Sequence, residues 1–213
     1  MSSGTHETWV PPTAPPDREA ATRLQEWLHA GGTGGIDMIG LDLSGADLSG
    51  GVFQESWFTD ARLVGTKLID VDLYRSDAEG ADFSGADLTR ASLVRANLDD
   101  AVLRGAVLDG ADLVKASLYG VDASAASLRG TRLMGASLID VDFRGSDLSQ
   151  AIIQENTFKV IVDETTKFTG MSGTLFGPVQ VISREGKKEI GGAELERWLR
   201  ELGGDVQVLE RRW

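Results

Sequence analysis

From Met38 to Phe158 an apolar residue recurs at every fifth position with no insertion, giving 25 centres of which only Ala78 and Ala123 are small. In "GADFSGADLTRASLVRANL", residues 80–98, the centres are Phe83, Leu88, Leu93 and Leu98. Two residues before a centre the chain prefers alanine, as at Ala81, Ala86, Ala91 and Ala96. Neither regular backbone has this period. A helix would turn ~140° per step of five and smear the leucines around its axis. In an extended segment, residues two apart share a face, so the small residue and the centre both point inward. The next two residues must then turn the chain, and glycine is common there (Gly40, Gly45, Gly50, Gly65, Gly80, Gly85, Gly105, Gly110), as turn chemistry favours. Repeated extended-then-turn units wind into a solenoid whose coils stack by backbone hydrogen bonds.

Units such as "ADLTR", "ANLDD", "ADLVK" and "ADLSG" resemble the A(D/N)LXX repeats of the pentapeptide-repeat proteins. The resemblance runs in register over about three-fifths of the chain. It implies an all-β solenoid, a right-handed quadrilateral β-helix with four pentapeptides per coil. The 25 centres then make about six coils, a rod on the order of 30 Å long at ~4.8 Å per stacked strand. Residues twenty apart should stack. Ala78 then lies between Phe58 and Leu98, and Ala123 below Phe143, the large/small compensation of a packed column.

A stacked β-helix exposes strand edges unless its ends are covered. Residues 1–16, rich in Pro, Ser and Thr, read as a flexible tail. Residues 17–35 read as an N-terminal capping helix and a Gly-rich link, with Asp17 as N-cap and Ala20, Leu24, Trp27 and Leu28 on one face. The β-helix is expected over 36–170, with a break of phase at Asp163 and a return at Phe168. Residues 171–213 have another composition: "PVQVI" as a strand, "SREGKKE" as a polar turn, "AELERWLREL" as a helix and "DVQVL" as a strand. This predicts a small C-terminal α/β cap, or a module for homodimerisation, with Leu195, Trp198, Leu199 and Leu202 facing inward. Trp213 either packs on that module or is disordered.

Composition changes this picture little. The chain of 213 residues has no cysteine, which excludes disulfides, thiolate metal sites and a cysteine nucleophile. No apolar run approaches a membrane span and no secretory signal is evident, so a cytoplasmic protein is expected. His6 and His29 lie outside the repeats, and no phosphate loop, dinucleotide fingerprint, zinc spacing or nucleophile elbow is present. A non-enzymatic protein is expected, with no catalytic residue, cofactor or metal. The net charge of −12 argues against nucleic acid or an anionic membrane as a direct partner and leaves room for a basic protein.

The repeats hold 20 acidic and 11 basic residues. Eleven of the acids stand directly before a centre, a position the repeat itself favours for Asp. Sorting by side recovers more. The side centred on Phe58 and Leu98 carries Asp37, Asp60, Asp77, Glu79, Asp99, Asp100 and Asp140 against Lys159 alone. The side centred on Leu73 and Leu113 stacks Tyr74, Val94, Val114 and Met134 beside Arg75, Arg95 and Lys115, with Arg132 close by. An exposed apolar column of this kind often marks an interface. Some pentapeptide-repeat proteins resemble B-DNA in size and charge, bind type II topoisomerases such as gyrase and topoisomerase IV, and protect them from inhibitors. The resemblance therefore implies an acidic contact wall of that kind. The alternative is a scaffold, adaptor or neutralising partner that docks through the apolar/basic side. Leucine-dominated centres and an uninterrupted coil depart from the topoisomerase binders, which carry more phenylalanine, more irregular repeats and sometimes a protruding loop.

Overall fold

The computed structural model describes residues 9–210. Along the repeats, apart from the slip at Asp142, a residue before a centre pairs in parallel with the residue twenty positions on: Asp37 with Trp57, Asp87 with Val107, Asp147 with Lys167. Four pentads therefore close one coil, and coils stack edge to edge. Within a pentad the turn closes by a bond such as Ala91 N–H to Leu88 C=O, 3.0 Å. The other backbone groups reach the adjoining coils: Leu88 N–H donates to Val107 C=O at 2.7 Å, and Asp87 N–H to Thr66 C=O at 2.9 Å. The ladder answers the requirement that buried backbone groups be paired.

Every centre from Met38 to Phe158 is buried, none more than 2% exposed. Each large one contributes roughly 1.5–3 kcal/mol of burial. Polar residues at the position usually held by alanine are buried too, and they bond to backbone carbonyls. Thr66 and Thr166 donate to the centre carbonyl one coil below, at Leu43 and Phe143 (both 3.0 Å), while Ser76 and Thr131 bond within their own turns.

The expected tail is a docked strap over its described part, because it carries apolar and strand-forming groups. Trp9 packs edge-on against Phe53, with centroids 5.4 Å apart, and its Nε1 donates to Ser49 C=O. Thr13 pairs antiparallel with Asp47, and Pro15 is buried. Residues 1–8, with His6, lie outside the described residues, as does Trp213. Helix α1, Arg18–His29, starts at Asp17, whose carboxylate accepts the Ala20 N–H. Its buried Ala20 and Leu24 join the core, and Trp27 lies over Phe53 at 5.5 Å.

The phase breaks earlier than Asp163. Strand β1, Leu138–Asp142, slips register against β2, Ile152–Asp163, between Ile139 and Val141. Lys159-Val160-Ile161-Val162 contains no turn former, so β2 runs straight and buries Val160 and Val162 in a period of two. Beyond it come β3 (Ser172–Phe176), β4 (Val179–Ser183), β5 (Gly186–Ile190), α2 (Gly192–Glu201) and β6 (Asp205–Val208). The sheet order is β5-β4-β2-β3-β6, with β1 also on β2. The stretch read as a polar turn is a hairpin: β4 and β5 pair antiparallel from Val179/Ile190 to Ser183/Gly186. Both β3 and β5 escaped the sequence reading. They are short and rich in Gly, Ser and Lys, and are held by their neighbours rather than by propensity. Among the described residues no helix is long and apolar enough to cross a membrane.

Candidate interaction surfaces

The coil leaves three outward positions per pentad, and the fold already uses the first. All eleven aspartates directly before a centre accept the N–H two residues on, as Asp87 does from Thr89 (3.0 Å) and Asp122 from Ser124 (3.0 Å). These carboxylates hold the turn, so Asp37 and Asp77 of the acidic side have structural work. The third position sits in the left-handed region in pentad after pentad, from Gly40 at φ 67° to Glu155 at φ 54°. A side chain there costs roughly 1–2 kcal/mol, so charged residues at this corner are retained against the backbone's preference.

On the acidic side that corner alternates Gly40, Asp60, Gly80, Asp100, Gly120 and Asp140 along the stack. The Asp60 and Asp100 carboxylates fold over the glycine of the next coil, where any β-carbon would strike them. Neither has a hydrogen bond or ion pair among the described residues. Asp99 is held: its Oδ1 accepts from Ser117 Oγ (2.6 Å) and Tyr119 N–H (2.8 Å). Asn97 Nδ2 donates to Asp77 at 3.1 Å and reaches Glu79 at 3.5 Å. Asp37 faces Arg23 of α1, and Asp140 faces Lys159, both at 3.4 Å. Two large aromatic residues stand in this wall, Trp57 at 47% exposed and Tyr119 at 49%. They were missed because the sequence reading sorted this side by charge alone.

The apolar column of the neighbouring side is not exposed. Tyr74, Val94, Val114 and Met134 are half-buried, because rungs ~4.8 Å apart shade one another. The open apolar residues of that side are Val52 and Ile152, near its two ends. Arg75 lies over the Tyr74 ring at 5.5 Å and pairs with Glu55 at 3.7 Å. Arg132 pairs with Asp112 at 2.7 Å. Arg95 and Lys115, on adjacent rungs of the left-handed corner (φ 61° and 60°), have no ion pair among the described residues.

With this geometry in hand, the comparisons are direct. The pentapeptide repeats family model matches residues 56–93, 81–120 and 116–154, in eight copies. The chain is a pentapeptide-repeat protein. Proteins of this family fold as right-handed β-helices and are generally structural or interaction proteins. Among solved structures, HetL of the cyanobacterium Nostoc sp. strain PCC 7120, a pentapeptide repeat protein involved in heterocyst differentiation regulation, is 26% identical. The likeness has a TM-score of 0.49 and covers 66% of this chain and 74% of HetL. Rfr23 of the cyanobacterium Cyanothece 51142 is 23% identical with a TM-score of 0.47, over 69% of this chain and 98% of Rfr23. A trypsin-treated form of QnrB1, a plasmid-mediated fluoroquinolone resistance protein, is 21% identical with a TM-score of 0.40, over 67% and 70%. No curated protein matches the chain.

In this pentapeptide-repeat protein the four C-terminal candidates divide. Leu195 and Leu199 are fully buried inside the chain, and Trp198 packs against Phe168 with centroids 5.6 Å apart. Leu195 and Leu199 therefore offer nothing to a second copy. Leu202, expected to face inward, is 38% exposed, because it follows the last turn of α2 as its C-cap. Between β4, β5 and α2 lies an open cavity of about 350 Å³ walled by Val181, Ile190 and Trp198. Lys188 and Glu194 at its rim bond to each other at 2.5 Å. Ser183 also lines it, but its hydroxyl donates to Gly186 C=O and not to the Lys188–Glu194 pair.

The turn carboxylates also set an acid limit. Burial pushes the Asp163 carboxyl up, but the bonds from Thr165, Gly145 and Thr166 outweigh it and leave it below the ordinary carboxylate range. Asp147 behaves alike through Ser149 and Lys167. Groups lowered in the folded state stabilise it above the unfolded carboxylate value of about 3.9 and lose that contribution as pH falls through their folded values. Thermal melts should therefore be level from pH 7 to about 5 and fall below about 4, with Asp163→Asn flattening part of the drop. Melting temperatures that rise between those lower values would contradict this.

Proposed function

We propose that this pentapeptide-repeat protein is a non-enzymatic cytoplasmic interaction rod. In this reading it has about six coils, ends covered by α1 and the C-terminal α/β module, and an acidic wall that takes the place of DNA on a type II topoisomerase. The observation that carries the reading is the Asp60–Gly80–Asp100–Gly120–Asp140 corner. Its first two carboxylates have no partner among the described residues and sit where glycine would cost less. Charge held against the fold's preference is available for a cationic surface. The wall is sparse beside a duplex: corner carboxylates two coils apart fall ~10 Å from each other, against ~3.4 Å per strand for phosphates. Charge alone is then too thin for such a partner, and the exposed faces of Trp57 and Tyr119 supply the apolar anchors that interfaces favour.

The test is a gyrase supercoiling assay with purified protein, with and without a topoisomerase poison. Wild type should alter supercoiling or relieve poisoning at micromolar concentration. Asp60→Asn/Asp100→Asn, which keeps the side-chain shape, should weaken that effect on the order of tenfold, at up to about 1 kcal/mol per exposed charge. A wild-type protein without influence on either activity would remove the reading.

A further inference from the structure

The coil's positive charges are mostly spent. Seven of its eleven Lys and Arg side chains make ion pairs with Asp or Glu. Among the described residues four make none: Arg62, which stacks between Asp42 and Asp82, Arg129, which stacks on Asp109, and Arg95 and Lys115, which stack on no acid at all. The last two stand on adjacent rungs of one corner, above Arg75, so three like charges follow one another. Like charges on neighbouring strands oppose pairing, and each of these side chains occupies left-handed backbone. The same corner carries Gly135 one rung further on, so the fold accepts glycine there. Beside the cations runs the half-buried column from Tyr74 to Met134, the only run of four successive apolar residues in that position of the pentad.

We propose that this side docks an acidic, amphipathic α-helix of a partner protein, laid along the rod axis. The rung spacing selects the helix. Cations on successive rungs lie at 0, ~4.8 and ~9.6 Å. Acidic residues at i, i+3 and i+7 of a helix rise 0, ~4.5 and ~10.5 Å and share one face. In an extended strand, same-face residues advance ~6.6 Å at a time and are out of step by the second rung. Apolar residues beside the acidic stripe would rest on Val94 and Val114. This surface is separate from the acidic wall, and its partner is of opposite charge.

Fluorescence anisotropy tests the assignment with the full chain and a labelled synthetic helical peptide of about 18 residues, ~27 Å long. The peptide carries glutamates at i, i+3 and i+7 flanked by leucines. The controls are a scrambled peptide of the same composition and a short DNA duplex. The striped peptide should bind about tenfold tighter than the scramble, more weakly as salt rises through the range where the Debye length shrinks below ~10 Å. Arg95→Gly/Lys115→Gly should abolish that preference while melting no lower than wild type, so that loss of binding is not loss of fold. Asp60→Asn/Asp100→Asn should leave it unchanged, which separates this surface from the topoisomerase reading. Equal binding of both peptides, no binding of either up to about 100 μM, undiminished binding by the glycine variant, or preference for the duplex would each overturn the proposal.

Discussion

Replacing Phe143 by alanine is expected to lower the unfolding free energy by about 3–5 kcal/mol. Phe143 is fully buried and lies stacked on Phe158, with ring centroids 6.3 Å apart and planes 17° from parallel. One coil below stands Ala123, so the truncation would put two small side chains in succession in one column. A packed column can collapse into a single gap only by shifting the backbone ladder, which the inter-coil bonds resist. The hole should therefore stay open and the cost fall in the upper part of the range. Equilibrium urea unfolding followed by far-UV circular dichroism measures it. A loss under about 1.5 kcal/mol would mean that the coils close over the vacancy.

The second large effect is at Asn156, 1% exposed in a position that most pentads fill with alanine. Its Nδ2 donates to the Leu133 carbonyl at 2.6 Å and the Ala136 carbonyl at 2.8 Å. Its Oδ1 accepts the Gln154 N–H at 2.8 Å. Asn156→Leu keeps the branched four-atom skeleton, with bulkier methyls, and strips a partner from three backbone groups. The Leu133 carbonyl keeps the Ala136 N–H at 3.0 Å, so the full loss of about 1–3 kcal/mol per dry group falls on the other two and the sum is about 2–6 kcal/mol. The loss should centre on the coil where β2 begins to run straight. Hydrogen exchange can locate it, as faster exchange of Gln154 and its neighbours while residues 60–120 keep their protection. Uniform acceleration along the rod would show instead that the coils unfold as one unit.

The two residues mark where sequence reading succeeded and where it stopped. Phe143 belongs to a column that stepping by five and then by twenty exposes directly, including its relation to Ala123. Asn156 also falls on the five-residue grid, but nothing in its five-residue neighbourhood tells that its partners lie 20 and 23 residues earlier. The surfaces behaved the same way. The composition of the acidic side was legible, but not which of its carboxylates were free. Asp99 is engaged by Ser117 and Tyr119 from the next coil, whereas Asp60 and Asp100 lie over Gly80 and Gly120, which offer no side chain, and have no partner among the described residues. Trp57 and Tyr119 went unnoticed as anchors because each occupies a slot where the pattern carries no apolar signal.

What the chain order alone determined is the pentad: an inward centre, a small companion two residues earlier, an aspartate that caps the turn and a corner that prefers glycine. Those are short-range requirements of sterics and hydrogen bonding, satisfied within five residues, so they repeat wherever the residues repeat. Only the stacked structure decided which charges are paired, how far the Tyr74–Met134 column is shaded, that residues 9–16 strap the first coils, and that β2 leaves the square path at Lys159. Each of these depends on groups a coil or more away, where contact is set by the ~4.8 Å spacing of rungs rather than by neighbours in the chain.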